Sequence, residues 1–297
     1  MLSGNKNGLI IALAITFVFM LVEAVGGWLT NSLALLSDSA HMLSDVGSLA
    51  ISLVAVWFVA RPPSRQKSYG YQRMEILAAL LNGVALFVVA GFIIWEAYSR
   101  LAAPPAVAAG SMMVIALFGL LANIASAWAL LRNSDVKNNI NIKSAYLHVL
   151  SDALGSVGAL LAGLLMQVYG WYIADPIISV IVAVLVLKSA WRLITQAVHI
   201  LMEGTPGNVA VADIVRELTA IDGVVGVHDI HVWQVTAGYD VFSCHITVLS
   251  GTNATQILAQ AVPLLEQKFG LRHTTIQVEE QGADISSWGC QADGAHK

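Results

Sequence analysis

Two short segments of the chain combine a histidine and an aspartate at the same spacing, in strongly apolar surroundings. His41 and Asp45 stand in the word HMLSD, and His148 and Asp152 stand in the word HVLSD. Four residues advance a helix by slightly more than one turn, so in each segment the imidazole and the carboxylate share one helix face. Imidazole nitrogen and carboxylate oxygen are both ligands for Zn²⁺. Two such faces brought together predict a tetrahedral site of two His and two Asp.

The competing interpretation is a structural hydrogen bond between neighbouring turns, which would explain a single His-x-x-x-Asp pair equally well. The repetition of the pair favours the metal site, because a buried carboxylate costs about 2.5 to 3.5 kcal/mol on membrane insertion scales and a shared dication offsets that cost. Small residues at Gly47 and Gly155 follow the two pairs and would let the helices approach closely. Asp38 lies one turn before His41, and we expect it to line the entry to the site.

Composition places most of this chain in a membrane. Of its 297 residues 57% are hydrophobic and only 11% are charged, against roughly a quarter charged in soluble domains. An ordinary soluble enzyme is therefore excluded. The net charge of −4 argues against a nucleic-acid partner, which would need clustered Lys and Arg. Cys244 and Cys290 are too few for a disulfide framework.

Six stretches are long and apolar enough to cross a bilayer. They run from Leu9 to Leu29, Leu33 to Ala60, Ile76 to Tyr98, Ser111 to Leu131, Ser144 to Tyr169 and Ala174 to Leu193. Lys and Arg collect before the first span, between the second and third, between the fourth and fifth, and at the exit of the sixth, where Lys188 and Arg192 stand. This pattern predicts that both termini are cytoplasmic. Three further polar residues inside or beside the spans, Glu23, Asn123 and Asp175, are expected to serve packing or hydrogen bonding.

The C-terminal segment forms a small domain of its own. A turn-forming sequence from Gly204 to Gly207 separates residues 1–203, the predicted transmembrane domain, from residues 204–297. Helical spacing and runs of β-branched residues predict the order αββαβ in the second part. We therefore expect an α-helical membrane protein with six transmembrane helices and a C-terminal α+β domain.

These residues resemble the cation diffusion facilitator family, and more closely its zinc-exporting bacterial branch. The similarity lies in the paired His-x-x-x-Asp words, the SLALLSD lead into His41, the YGY loop at residues 69–71 and the VHDIHVW strand at residues 227–233. It implies a secondary active transporter, not an enzyme, in the bacterial inner membrane. It also implies export of Zn²⁺, and often of Cd²⁺ as well, by proton antiport in a homodimer with ferredoxin-like cytoplasmic domains. The family's transport ligands correspond to His41, Asp45, His148 and Asp152.

The resemblance further implies metal sites in the cytoplasmic domain, for which the residues that match are His228, His245 and Glu279. His273 would bridge to a second ion, with Cys290 as a further partner. Strict strand alternation puts His231 on the face opposite His228 and outside the site. The loop over residues 64–73 offers no metal ligand, and the loop over residues 132–143 has no His.

Two other classes of protein could use such ligands. An intramembrane metallohydrolase would keep one metal position open for water and would need a separate general base, whereas this set has four protein ligands and no spare Glu nearby. A metal sensor that is merely anchored in the membrane would have no use for two buried pairs. The exporter is therefore the favoured interpretation.

Overall fold

The structure is a computed structural model that describes residues 3–43, 46–47, 63–133, 140–236 and 238–282, with side chains described for 17–43, 46–47, 63–125, 150, 152–236 and 238–282. Asp45 and Cys290 lie outside the described residues. The chain divides into two compact units. Residues 1–56 and 78–195 form the first, and residues 57–77 and 196–297 form the second.

The first unit is helical. Its helices are α1 (Ser3–Thr30), α2 (33–43 and 46–47), α3 (Arg73–Ala102), α4 (Ala109–Asn133), α5 (Ile140–Tyr169) and α6 (Ala174–Leu201), of which α3 begins and α6 ends in the second unit. Among the described residues, three helical stretches are long and apolar enough to cross a membrane: Arg73–Ala102, Asp152–Tyr169 and Ala174–Leu201. Phe17–Thr30 and Ala109–Ala125 are apolar but shorter.

The helices of this unit pack through small residues and direct large apolar side chains outward. Buried positions include Ala90, Ala97, Ala159, Ala162, Ala183 and Ala190. Exposed positions include Phe92, Trp95, Leu161, Val168, Ile181 and Trp191. In water such a surface would be unfavourable, whereas in lipid the large side chains are well solvated and small residues allow close helix contacts. The packing therefore fits a membrane environment.

The second unit contains α7 (Val211–Thr219), β1 (Val224–Thr236), β2 (Tyr239–Val248), α8 (Ala254–Phe269) and β3 (His273–Glu280). This is the αββαβ order that the sequence predicts. The sheet has the order β1-β2-β3, with β1 antiparallel and β3 parallel to the central strand β2. The two helices contribute Ile214, Leu218, Ile257, Ala261 and Leu265 to one core with the inner face of the sheet.

Helix α8 has clear capping signals at both ends. Asn253 caps its first turn by accepting a hydrogen bond from the Thr255 amide at 2.9 Å. Gly270 ends it with φ of 72°, in the left-handed region that glycine adopts without a steric cost. The crossover returns the chain parallel to β2, so the two strands end together, with Glu280 opposite Val248.

The loop before α3 belongs to the second unit. Thr236 donates a hydrogen bond to the Glu75 carboxylate at 2.6 Å. The ring of Tyr69 packs against the rings of Tyr239 and His273, with centroids 6.4 and 5.9 Å away. The predicted boundary at residues 203/204 assigns this loop to the transmembrane domain by its place in the sequence. Its described contacts are instead with the strands of the C-terminal segment.

Candidate metal centres

Helix α2 contains serine residues although the unit around it is apolar. Their hydroxyl groups form hydrogen bonds to backbone carbonyls of the same helix. Ser37 donates to the Leu33 carbonyl at 2.8 Å, and Ser39 donates to the Leu36 carbonyl at 2.8 Å. Such back-bonding satisfies both of these hydroxyl donors in a water-poor environment. The carboxylate of Asp38 and the imidazole of His41, three residues apart, are then the groups on one face of α2 that remain for other contacts.

Helices α2 and α5 meet at the predicted transport residues. The Nε2 atom of His41 lies 3.3 Å from Oδ1 of Asp152. The two side chains are 23% and 16% exposed, so both are largely removed from the surface of the unit. The structure therefore brings together one His and one Asp from the two words that sequence analysis singled out.

The structure describes less of the other two predicted ligands, Asp45 and His148. Asp45 lies outside the described residues, and for His148 only the backbone in α5 is described. The four-residue set thus stays a prediction.

Glycine in α5 makes room for a second carboxylate at this contact. A Cβ atom added to Gly155 would lie 2.6 Å from Oδ1 of Asp38, closer than side-chain carbons approach oxygen. Asp38 is itself buried. The Asp38 carboxylate thus packs against α5 within one turn of Asp152, and its expected role at the entry to the site stays a prediction.

Glu23 of α1 is a third buried carboxylate in this region. It is 1% exposed, and its Oε2 atom has no hydrogen-bond partner among the described residues. Gly119 of α4 lies beside its other oxygen and beside the hydroxyl of Ser156. Ser156 directly follows Gly155, against which the Asp38 carboxylate packs. Such a group of buried carboxylates requires a bound cation or protons for neutralisation. The packing or hydrogen-bonding role expected for Glu23 stays a prediction.

A second cluster lies on the sheet of the C-terminal unit, on the face away from α7 and α8. His228 and His245 are directly opposed across β1 and β2, with ring centroids 5.3 Å apart. The Nδ1 atom of His245 lies 2.8 Å from Oε1 of Glu279, and Nε2 of His228 lies 3.5 Å from Oε2. One ligand atom from each residue falls within 4.8 Å of the others. Two imidazoles and one carboxylate at this spacing could hold Zn²⁺.

His273 lies apart from this cluster, and its expected role at a second ion stays a prediction. It opens β3 opposite Val241, whereas Glu279 lies opposite Thr247. Six residues of strand span about 20 Å. His273 is exposed and packs against Tyr69 and Tyr239 instead. Because β3 runs parallel to β2, its first residue lies four residues along β2 from His245.

His231 and His228 lie on the same face of the sheet, so the prediction from strict alternation is wrong. The register shifts between them, where His228 opposes His245 and His231 opposes Ser243. An extra residue in one strand of an antiparallel pair reverses the alternation that follows it. Asp229 lies in this bulge with φ of 50°.

The Asp229 side chain approaches both His231 and His245, which lie on the same face of the sheet. Its Oδ1 lies 3.1 Å from Nε2 of His231, and its Oδ2 lies 3.6 Å from Nε2 of His245. Histidines that bind metals commonly direct their second ring nitrogen at a carboxylate. Asp229 occupies that position relative to His245 and was missed because its conformation cannot be read from strand periodicity. An Asp beside a ligand His was the available signal.

A cavity of about 850 Å³ opens beside this face, between the loop before α3 and the end of α6. It is lined by residues that include Lys67, Tyr69, Arg73, Glu203, His231 and Trp233. Arg73 and Glu203 form an ion pair across it at 3.0 Å. His231 therefore has the Asp229 carboxylate on one side and the cavity on the other.

Cys244 lies on the opposite, core-facing side of β2. It is 1% exposed and packs with Phe242 and Ile246. Burial disfavours its thiolate and raises the pKa of the thiol from 9.0 to about 12. Because a metal binds the thiolate, Cys244 takes no part in the cluster on the other face.

Comparison with known proteins covers nearly the whole chain. The family model described as the cation efflux transmembrane domain matches residues 9–202, and the one described as the cation efflux protein cytoplasmic domain matches residues 206–281. A cadmium, cobalt and zinc/H(+)-K(+) antiporter of Bacillus subtilis is 46% identical over 280 residues, covering 93% of this chain and 90% of that protein. The zinc transporter ZitB of Escherichia coli is 44% identical over 278 residues, covering 93% and 88%. The metal cation efflux system protein CzcD of Cupriavidus metallidurans is 40% identical over 277 residues, covering 93% and 87%.

Proposed function

Because the chain belongs to the cation efflux family, we propose that it exports Zn²⁺, and Cd²⁺ as well, from the cytoplasm in exchange for protons. The relatives named above are a zinc transporter and an antiporter of cadmium, cobalt and zinc, which supports these substrates. The chain is thus a secondary active transporter. The metal is its cargo, and the proton gradient supplies the free energy.

His41, Asp45, His148 and Asp152 form the transport site in this proposal. The observation that carries it is the 3.3 Å contact between His41 of α2 and Asp152 of α5, because it joins the two helices that carry the repeated word. Two nitrogens and two carboxylate oxygens in a tetrahedral set suit Zn²⁺ and Cd²⁺. Mg²⁺ prefers six oxygen ligands and is disfavoured.

Proton coupling follows from the chemistry of the ligands. A metal competes with protons for imidazole nitrogen and carboxylate oxygen, so the affinity of the site falls as the pH falls. Imidazole titrates near neutral pH, which makes His41 and His148 the exchanging groups, while the two aspartates balance most of the cation's charge. Protons that enter from outside then displace the metal when the site opens outward.

The wider arrangement completes the proposal. Six transmembrane helices place both termini in the cytoplasm of a bacterial inner membrane, and the C-terminal domain adopts a ferredoxin-like fold. The match to the dimer-forming cytoplasmic domain of the family supports a homodimer. His228, His245 and Glu279 hold a regulatory Zn²⁺ in this domain, and their three donor atoms, within 4.8 Å of one another, fit that ion.

The deciding experiment is uptake of ⁶⁵Zn²⁺ into inside-out vesicles or proteoliposomes with an acidic lumen. We expect accumulation that depends on the pH gradient and that is lost in Asp45→Ala and in Asp152→Ala. Leu43→Ala, an exposed position on α2, is the matched control and should keep the native rate. Uptake that survives both aspartate substitutions and ignores the gradient would contradict the proposal.

A further inference from the structure

The helix that carries His41 begins in a buried position, where its first amide groups need partners from elsewhere. Residue 31 has φ of 57°, and α2 starts at residue 33. The first amides of any helix have no acceptor within the helix itself. The Ser32 hydroxyl accepts from the Leu35 amide at 3.3 Å, which leaves the amides of Leu33 and Ala34.

Asp175, near the start of α6, supplies the missing acceptors. Its Oδ2 accepts from the Leu33 amide at 2.7 Å, and its Oδ1 accepts from the Ala34 amide at 3.2 Å. The Ser32 hydroxyl donates to Oδ1 at 2.7 Å. Asp175 is 0% exposed, so water does not compete for these contacts. A carboxylate at this end of α2 also interacts favourably with the positive end of the helix dipole.

A second contact, one turn further along both helices, strengthens this junction. The Ser37 hydroxyl of α2 lies 3.5 Å from the Ser179 carbonyl oxygen of α6. The contact with α2 uses the backbone carbonyl of Ser179, whereas the Ser179 hydroxyl donates within α6, to the Asp175 carbonyl at 2.6 Å. Two successive turns of α2 are therefore joined to two successive turns of α6.

We propose that Asp175 is a positioning residue for transport, which holds the start of α2 so that His41 meets Asp152. This inference rests on the proposed function of the His41 site. Eight residues of helix separate Leu33 from His41, a distance of about 12 Å. A rotation or shift at the start of α2 is transmitted along this short, rigid segment to the imidazole. Small errors in ligand placement are costly, because about 1 Å of misplacement can reduce a rate about a hundredfold.

The test compares Asp175→Ala and Asp175→Asn with Ser179→Ala in the full-length protein reconstituted in lipid. Ser179→Ala is the matched control, because it removes a buried hydroxyl from the same turn and keeps the carboxylate. We expect a rise of about tenfold in KM for Zn²⁺ in Asp175→Ala and a smaller rise in Asp175→Asn, which retains one acceptor oxygen. A loss of folded protein alone would lower the maximal rate and leave KM unchanged.

Hydrogen–deuterium exchange at Leu33 and Ala34 provides a readout that does not depend on transport. We expect faster exchange in both Asp175 variants and native exchange in Ser179→Ala. If Asp175→Ala does not fold, Asp175→Asn decides. Native KM and native exchange in a folded Asp175 variant would overturn the inference. Failure of the native protein to transport Zn²⁺ would instead overturn the proposed function. The hydrogen–deuterium exchange result would still report on the contact between Asp175 and the start of α2.

Discussion

Nε2 of His41 lies 3.3 Å from Oδ1 of Asp152, and this contact joins α2 to α5 at the His-x-x-x-Asp motif of each helix. The same two atoms have the lone pairs that a divalent cation would bind. A proton shared between them and a metal bound by them are therefore alternative occupants of one position. Because a proton and a metal exclude each other at these two atoms, their competition is the simplest physical basis for exchanging a metal for protons.

His41→Ala should abolish metal export without unfolding the protein. Loss of a residue that merely orients a ligand lowers metal affinity by about 10- to 100-fold, and loss of the ligand itself should cost at least as much. ⁶⁵Zn²⁺ uptake measures the effect, and Leu43→Ala on the same helix is the control. Native uptake by His41→Ala would remove this residue from the transport site.

Gly155→Ala should impair transport because it displaces a carboxylate. The added methyl group would lie 2.6 Å from Oδ1 of Asp38, so that side chain must move away from α5. Gly91→Ala on α3 is the matched control, since a Cβ atom there meets nothing within 4 Å. We expect at least a tenfold lower rate for Gly155→Ala only. Equal rates in the two variants would show that the position of Asp38 is not important.

His245→Ala should remove Zn²⁺ binding by the cytoplasmic cluster, whereas His273→Ala should not. A ligand at a hundred times its dissociation constant stabilises a folded protein by about 2.7 kcal/mol. Thermal unfolding of the C-terminal unit in the full-length protein, with and without Zn²⁺, measures that stabilisation. A stabilisation lost in His273→Ala and kept in His245→Ala would contradict the geometry of the sheet.

Asp229→Asn should weaken Zn²⁺ binding by about 10- to 100-fold, because the carboxylate fixes the orientation of the His245 ring. Isothermal titration of the full-length protein with the transport site disabled by Asp152→Ala isolates the cytoplasmic site. Asp222→Asn, an exposed position in the turn before β1, is the control. An unchanged Zn²⁺ affinity in Asp229→Asn would show that the Asp229 carboxylate does not orient the His245 ring for metal binding.

Cys244 should resist alkylation at pH 8 in the folded protein. Its pKa of about 12 leaves roughly one thiol in ten thousand ionised at that pH, and only the thiolate reacts. Iodoacetamide labelling of a Cys290→Ser variant, followed by mass spectrometry, measures the rate before and after denaturation. Rapid labelling of the native protein would contradict the burial of this residue.

The same pKa shift gives the sign of a stability effect. The folded state holds the Cys244 proton more tightly than the unfolded state does, so the contribution to stability is complete below pH 9. It is lost progressively as the pH rises from 9 towards 12, because the unfolded thiol ionises first. Denaturant unfolding of the Cys290→Ser variant at pH 8 and pH 10.5 would measure this decline.

Local patterns were sufficient to predict much of this protein. Hydropathy identified the apolar helices, and β-branched runs separated by turn residues predicted the αββαβ order. The His-x-x-x-Asp words predicted a contact between α2 and α5, which His41 and Asp152 make, because a spacing of four residues places both side chains on one face of any helix. These features depend on residues close together in the chain.

Tertiary structure decided the rest. The bulge at Asp229 brings His231 to the face of His228, and one extra residue in a strand leaves no trace in a period-two pattern. The parallel direction of β3 places His273 beside Val241, four residues along β2 from His245. Asp175 reaches the amides at the start of α2 from α6, a contact between segments far apart in the sequence. Such contacts depend on how whole elements pack, and residue spacing within one element carries no information about the neighbour that it will meet.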